Sequence, residues 1–183
     1  MVLIDVRLNA RLRPMDRGDR FEDPLDELLR AQSPGGRVTG GGTMLSPEGE
    51  PLWCGLEVEW SGDPAAGVEL ITSALTRGGA PLGSQLTVGD ADPVPFGEHE
   101  GVGLYLNGTD LPDEVYATND VNDLIAVLLA ALGDDGDMYS YWEGPTETAL
   151  YLYGPSAAVI EEKVAPVLAT EPSAELTRVV RLT

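Results

Sequence analysis

Val2, Ile4, Val6 and Leu8 alternate with Leu3, Asp5, Arg7 and Asn9, the period-two pattern of a strand with one buried face. Asp23-Pro24, followed by Leu25, Leu28 and Leu29 at i, i+3, i+4 spacing, predicts a short amphipathic helix with an aspartate cap and proline in its first turn. Residues 37–45 and 52–60 flank the turn-forming run Ser46-Pro47-Glu48-Gly49-Glu50-Pro51 and predict a hairpin. Asp63-Pro64 repeats the cap-plus-proline pair, Val68, Ile71 and Leu75 share one helical face, and Gly78-Gly79 supplies the stop. A strand over 82–88 completes the order strand, helix, strand, strand, helix, strand.

The rest of the chain predicts the same order again. A strand over 101–107 precedes a helix over 120–132, which carries Val121, Leu124, Ile125, Leu128, Leu129 and Leu132 and is closed by Gly133. A hairpin of 138–142 with 148–153, a helix over 155–168 and a strand over 175–182 follow. Corresponding positions, such as Asp26 and Asp123 or Pro64 and Pro155, recur at a near-constant separation, the pattern of an internal duplication. A βαββαβ unit forms a four-stranded antiparallel sheet with both helices on one face, the ferredoxin-like arrangement. The expected fold is therefore α+β, two tandem ferredoxin-like units with antiparallel sheets, at 1–88 and 101–183. Residues 89–100, with two prolines and two glycines, are the expected linker. Gly40-Gly41-Gly42 predicts a bulge or loop in the second strand, and Pro166 a kink or helix end near Ala165.

Charge narrows the function classes. The chain carries 31 acidic and 11 basic side chains, a formal charge of −20, with 43% hydrophobic residues. That composition is globular, and its field disfavours bare nucleic acid and anionic membranes as partners. A lone cysteine, Cys54, and a lone histidine, His99, exclude an internal disulfide framework and a four-ligand Cys/His zinc site. The N-terminus has no signal-peptide pattern, and no stretch approaches the roughly 20 apolar residues of a membrane span. Cytoplasmic location is the expectation, which makes Asn107-Gly108-Thr109 an accidental glycosylation sequon.

The charge is also uneven. Residues 1–37 hold seven basic and seven acidic groups, whereas 89–175 hold Lys163 against eighteen carboxylates. Asp120 and Asp123 complement a helix N-terminus, but Asp134 and Asp135 follow a helix C-terminus, which favours cations. Strand alternation puts Tyr105, Tyr139, Tyr141, Tyr151 and Tyr153 together on the open face of the second sheet. Aromatics on such a face are similar to an RNA-stacking platform, but the cations that would hold phosphate are missing.

Positive signs of catalysis are absent. His99 lies between Glu98 and Glu100 in the expected linker, Cys54 reads as a buried strand residue, and Asp134-Asp135-Gly136-Asp137 lacks the ligand spacing of an EF-hand loop. No catalytic residue, metal site or cofactor is expected. The leading expectation is a non-enzymatic acidic binding protein, an inhibitor whose physical character is similar to that of immunity proteins that occupy the basic cleft of a nuclease toxin. Asp110, Asp113, Glu114, Asp134, Asp135, Asp137 and Glu143 would supply its charge, with Tyr139 and Tyr141 as anchors for the basic protein partner. One alternative is a small-molecule-binding protein or enzyme of a halophilic or GC-rich organism, its acidity a general adaptation and its pocket the cleft between the units. A second is a structural or regulatory subunit that dimerises through an open sheet face.

Overall fold

The computed structural model describes residues 1–32 and 35–182; Thr183, the last residue of the expected second unit, lies outside them. The chain divides into two units, Met1–Pro47 with Pro51–His99, and Glu48–Glu50 with Glu100–Leu182.

In the first, β1 (Val2–Leu8) leads through α1 (Pro14–Arg17) and α2 (Asp23–Arg30) to β2 (Gly36–Leu45), β3 (Pro51–Trp60), α3 (Pro64–Arg77), β4 (Ser84–Val88) and β5 (Val94–Phe96). The sheet order is β2-β3-β1-β4-β5, antiparallel throughout. The second unit runs β6 (Glu100–Asn107), α4 (Asp113–Thr118), α5 (Val121–Leu132), β7 (Asp137–Glu143), β8 (Glu147–Gly154), α6 (Ala157–Thr170) and β9 (Arg178–Leu182), with sheet order β7-β8-β6-β9. In both units the first strand lies between the third and fourth, so the protein is two tandem ferredoxin-like units with antiparallel sheets. Among the described residues, no helix is long and apolar enough to cross a membrane.

Burial follows the alternation that predicts the strands. Ile4, Val6 and Leu8 of β1 are buried with Cys54, Leu56 and Val58 of β3, Leu86 of β4, and Phe21, Leu25, Leu29, Ile71 and Leu75 from the helical segments. The second core joins Val102, Leu104, Leu106, Leu150 and Leu152 to Leu124, Leu128, Leu132, Ile160 and Val164. Asp63, Asp120 and Ser156 cap α3, α5 and α6 by accepting from backbone amides of their first turns.

Three expectations change. Asp23-Pro24 is not a helix start: α1 passes through a π-helical turn, Gly18–Glu22, straight into α2, and Asp23 has helical φ/ψ without a side-chain cap. The wider turn accommodates the missing Pro24 amide inside a continuous helical segment. Pro166 does not end α6, which continues to Thr170. The proline and Glu162, whose carbonyl lacks its i+4 donor, are both exposed, so water can serve that carbonyl. Residues 89–100 are not a free linker, because β5 pairs with β4 as an edge strand, where Pro95 is tolerated. The amides of Glu98 and His99 then donate to the Ala80 carbonyl at 2.9 and 3.2 Å, tying the segment to the first unit. Gly97 permits this approach, with φ of +93° and no Cβ to meet the Pro81 carbonyl.

Candidate functional site

The acidic residues of the second unit fall into two groups. At the end of β6, Asn107 Oδ1 accepts from the amides of Thr109 (2.9 Å) and Asp110 (2.7 Å), and its Nδ2 donates to Asp110 Oδ2 at 2.9 Å. This turn delivers Asp110, followed by Asp113 and Glu114 in the first turn of α4. The Gly108 amide donates to the Thr146 carbonyl at 2.8 Å, bringing the loop beside the β7–β8 turn that carries Glu143. Asp110, Asp113, Glu114 and Glu143 are all exposed, as are Asp120 and Asp123 at the start of α5.

Asp134, Asp135 and Asp137 lie at the opposite end of β7, a seven-residue strand, hence about 20 Å away. Asp135 pairs with Lys163, whose Nζ also donates to the Leu132 carbonyl at 3.0 Å. The cation that favours a helix C-terminus is therefore supplied from α6, which accounts for part of this acidic run. Each of the three cations in 100–182 is held in an ion pair: Lys163 with Asp135, Arg178 with Glu147 and Arg181 with Glu161. The Arg181 hydrogen bond holds the Glu161 carboxyl below its usual range.

The tyrosine expectation needs correction. Pairing of β7 with β8 shifts register between Met138 and Ser140, so Met138 opposes Leu152 while Tyr141 opposes Leu150. A bulge at Tyr139 thus turns Tyr141 to the helix side, where it packs on the hydrophobic core, and gives its place on the other face to Trp142. Tyr139 is buried within the chain, stacked on Tyr153 with ring centroids 4.6 Å apart. Neither tyrosine is an exposed anchor. Tyr105 and Tyr151 are buried too, and their hydroxyls donate to Glu50 Oε1 at 2.5 and 2.9 Å. Gly101 and Gly103 make room for the rings, since a Cβ would come within 2.6 Å of Tyr153 and 2.9 Å of Tyr105 respectively.

The first unit carries a groove that the sequence reasoning missed. It lies on the sheet face away from the helices and is lined by Asp5, Arg7, Gly42, Trp53, Gly55 and Glu57, with Met44, Gln85 and Thr87 beyond them; its volume is about 440 Å³. Register puts Gly42 opposite Gly55, Gly55 opposite Arg7, and Asp5 opposite Glu57. The Arg7 guanidinium lies 4.5 Å from the centroid of the Trp53 ring. Alternation in β1 and β3 was the available signal, because the positions between the core residues are the ones that meet here.

Cys54 is fully buried on the helix side, and loss of solvation pushes its thiol up to about 12, so it is a poor nucleophile at neutral pH. His99 is half-buried in the bridge to Pro81; burial lowers its pKa, Arg20 adds to this, and Glu98 opposes it. Arg17 is buried against Gly41, donating to Glu22 at 3.1 Å and to Thr43 Oγ1 at 3.3 Å. Among the described residues, no group of three or more His, Cys, Asp and Glu side chains is placed to hold a metal ion.

No family model matches the chain. No curated protein matches it. Among solved structures, it is similar to an unknown protein from Galdieria sulphuraria, at 14% identity over 99% of this chain and 96% of that one, with a TM-score of 0.32. It is similar also to the ligand-free regulatory subunit of aspartate kinase from Thermus thermophilus, at 10% identity, 91% and 93% coverage and a TM-score of 0.29. The first two RRM domains of a yeast poly(U) binding protein align at 7% identity, 99% coverage of both chains and a TM-score of 0.27.

Proposed function

We propose that the protein is an acidic, non-enzymatic binding protein that occupies the basic surface of a protein partner, in the manner of an inhibitor. One observation carries this reading. Asp110, Asp113, Glu114 and Glu143 are exposed at one end of the second sheet, while every cation in 100–182 is already committed to a carboxylate. A field of one sign left uncompensated in this way steers an oppositely charged partner and favours a cleft that otherwise holds phosphate. Asp134, Asp135 and Asp137, about 20 Å away at the other end of β7, extend the same negative field within the span of one standard interface. With Tyr139 buried against Tyr153 and Tyr141 packed on the helix side, neither ring serves as an anchor, and the binding is chiefly electrostatic.

The test is affinity capture from the source cell with the wild-type chain and with a variant carrying Asp110→Asn, Asp113→Asn, Glu114→Gln and Glu143→Gln. The expected result is a basic protein retained in stoichiometric amount by the wild type, released by salt, absent from the variant, and inhibited when the purified pair is recombined. Retention of the same protein by the variant, or elution independent of salt, refutes the reading.

A further inference from the structure

The groove of the first unit is independent of that acidic end. Its floor is bare because Gly42 and Gly55 are direct neighbours across β2 and β3. Gly42 is not required by the fold: a Cβ there meets nothing within 4 Å, and its φ is not in the left-handed region. Gly55 is tighter, with a Cβ position 3.2 Å from the Val6 carbonyl. Glycine at an uncrowded strand position costs β-propensity and leaves the backbone open to close approach by a ligand.

The two ends of the floor differ in charge. At one, Trp53 supports the planar face of Arg7, which leaves the edge of the guanidinium, where its N–H groups point, open to a carboxylate. At the other, Asp5 and Glu57 are direct cross-strand partners, an arrangement that like charges destabilise. Neither of these carboxylates is in an ion pair among the described residues. A cation placed between them would remove the repulsion, and a volume of about 440 Å³ is in the range of small-molecule sites.

We propose that this groove binds a small zwitterion, with its ammonium group at Asp5 and Glu57, its carboxylate on Arg7, and a flat body resting on Gly42 and Gly55 beside Trp53. Asp5 and Arg7 are two residues apart on β1, about 7 Å of strand, so a ligand laid along the strand with each charge over its partner has its charges separated by roughly 6 to 8 Å. An amine and a carboxylate on opposite sides of a ring or short chain have the right reach.

The probe is 4-(aminomethyl)benzoate, titrated into the full chain and followed by amide and indole NMR signals. The expected shifts are at Gly42, Gly55 and Trp53, with affinity at least about tenfold above that of benzylamine or benzoate, each of which keeps one charge. Gly42→Leu fills the floor and should abolish binding without lowering the melting temperature. Arg7→Gln, at an exposed position, should remove the preference for the zwitterion over benzylamine, and Glu57→Gln should weaken both amines alike. The proposal is overturned if the shifts fall elsewhere, if the wild type binds benzylamine as tightly as the zwitterion, or if Arg7→Gln keeps the preference. The variant neutralised at Asp110, Asp113, Glu114 and Glu143 should bind the probe normally, so failure of this site and failure of the acidic reading are separable.

Discussion

Asp26 connects α2 to the edge strand β2. One carboxylate oxygen accepts from the Val38 amide at 2.8 Å and the other from Arg30 Nε at 2.5 Å. Val38 precedes the bulge in β2, and Asp26 meets an amide on the unpaired side of an edge strand. Burial alone would raise the Asp26 pKa, but the Arg30 hydrogen bond, the Val38 amide, and the charges of Arg30 and Arg37 together hold it below the ordinary value of 3.8. A depressed folded-state pKa contributes stability that is present at neutral pH and is lost as pH falls through that lowered value. Asp26→Ala should therefore cost about 1–2 kcal/mol in denaturant unfolding at neutral pH, for the lost charge-assisted bonds. The gap between variant and wild type should narrow as pH falls below 3.8. An equal gap at both ends of that range would show that the carboxylate's charge has no part in the contribution.

At the scale of elements, the amphipathic periods made both βαββαβ units legible. Ile4, Val6 and Leu8 need one buried face, and Leu124, Leu128 and Leu132 need one helical side, whichever neighbours they meet. What the periods do not encode is a change of phase. The bulge at Tyr139 is decided by hydrogen-bond pairing with β8, and it inverts every later residue of β7, which is why strand alternation alone puts Tyr141 on the wrong face. The groove was hidden for a related reason: Gly42, Gly55, Trp53 and Arg7 come from three strands, and only the register makes them neighbours. The Asp110 and Glu143 cluster was half legible, since composition located the charge but not the 20 Å or so of strand that separates it from Asp134. Pro166 gives a test at this scale. It sits inside α6, where its missing N–H leaves the Glu162 carbonyl without an i+4 donor. Pro166→Ala restores that donor and should raise stability by about 1–3 kcal/mol, read as a shift in denaturant midpoint with unchanged m. An unchanged or lowered midpoint would mean that the proline fixes the entry to β9 and that this outweighs the lost bond.

For the whole molecule, the net charge of −20 is the property that most depends on solvent. Residues 100–182 hold fifteen carboxylates against three cations, whereas 1–37 are balanced, so self-repulsion is concentrated in the second unit. Raising salt from about 10 mM to about 1 M shortens the screening length from roughly 30 to 3 Å. The melting temperature of the wild type should rise over that range. Neutralising Asp110, Asp113, Glu114 and Glu143 should raise it already at low salt and flatten the salt response, because these exposed groups repel one another and no ion pair is broken. A general adaptation to high salt predicts otherwise: the wild type would fail to fold at low ionic strength, and neutralisation would weaken it in concentrated salt. The two measurements together assign the carboxylates. A variant that melts higher and loses its basic partner places them in recognition, where their repulsion is tolerated in the free protein and relieved on binding. A variant that melts lower in low salt places them in the fold instead, and the proposed docking end would have no residue of its own.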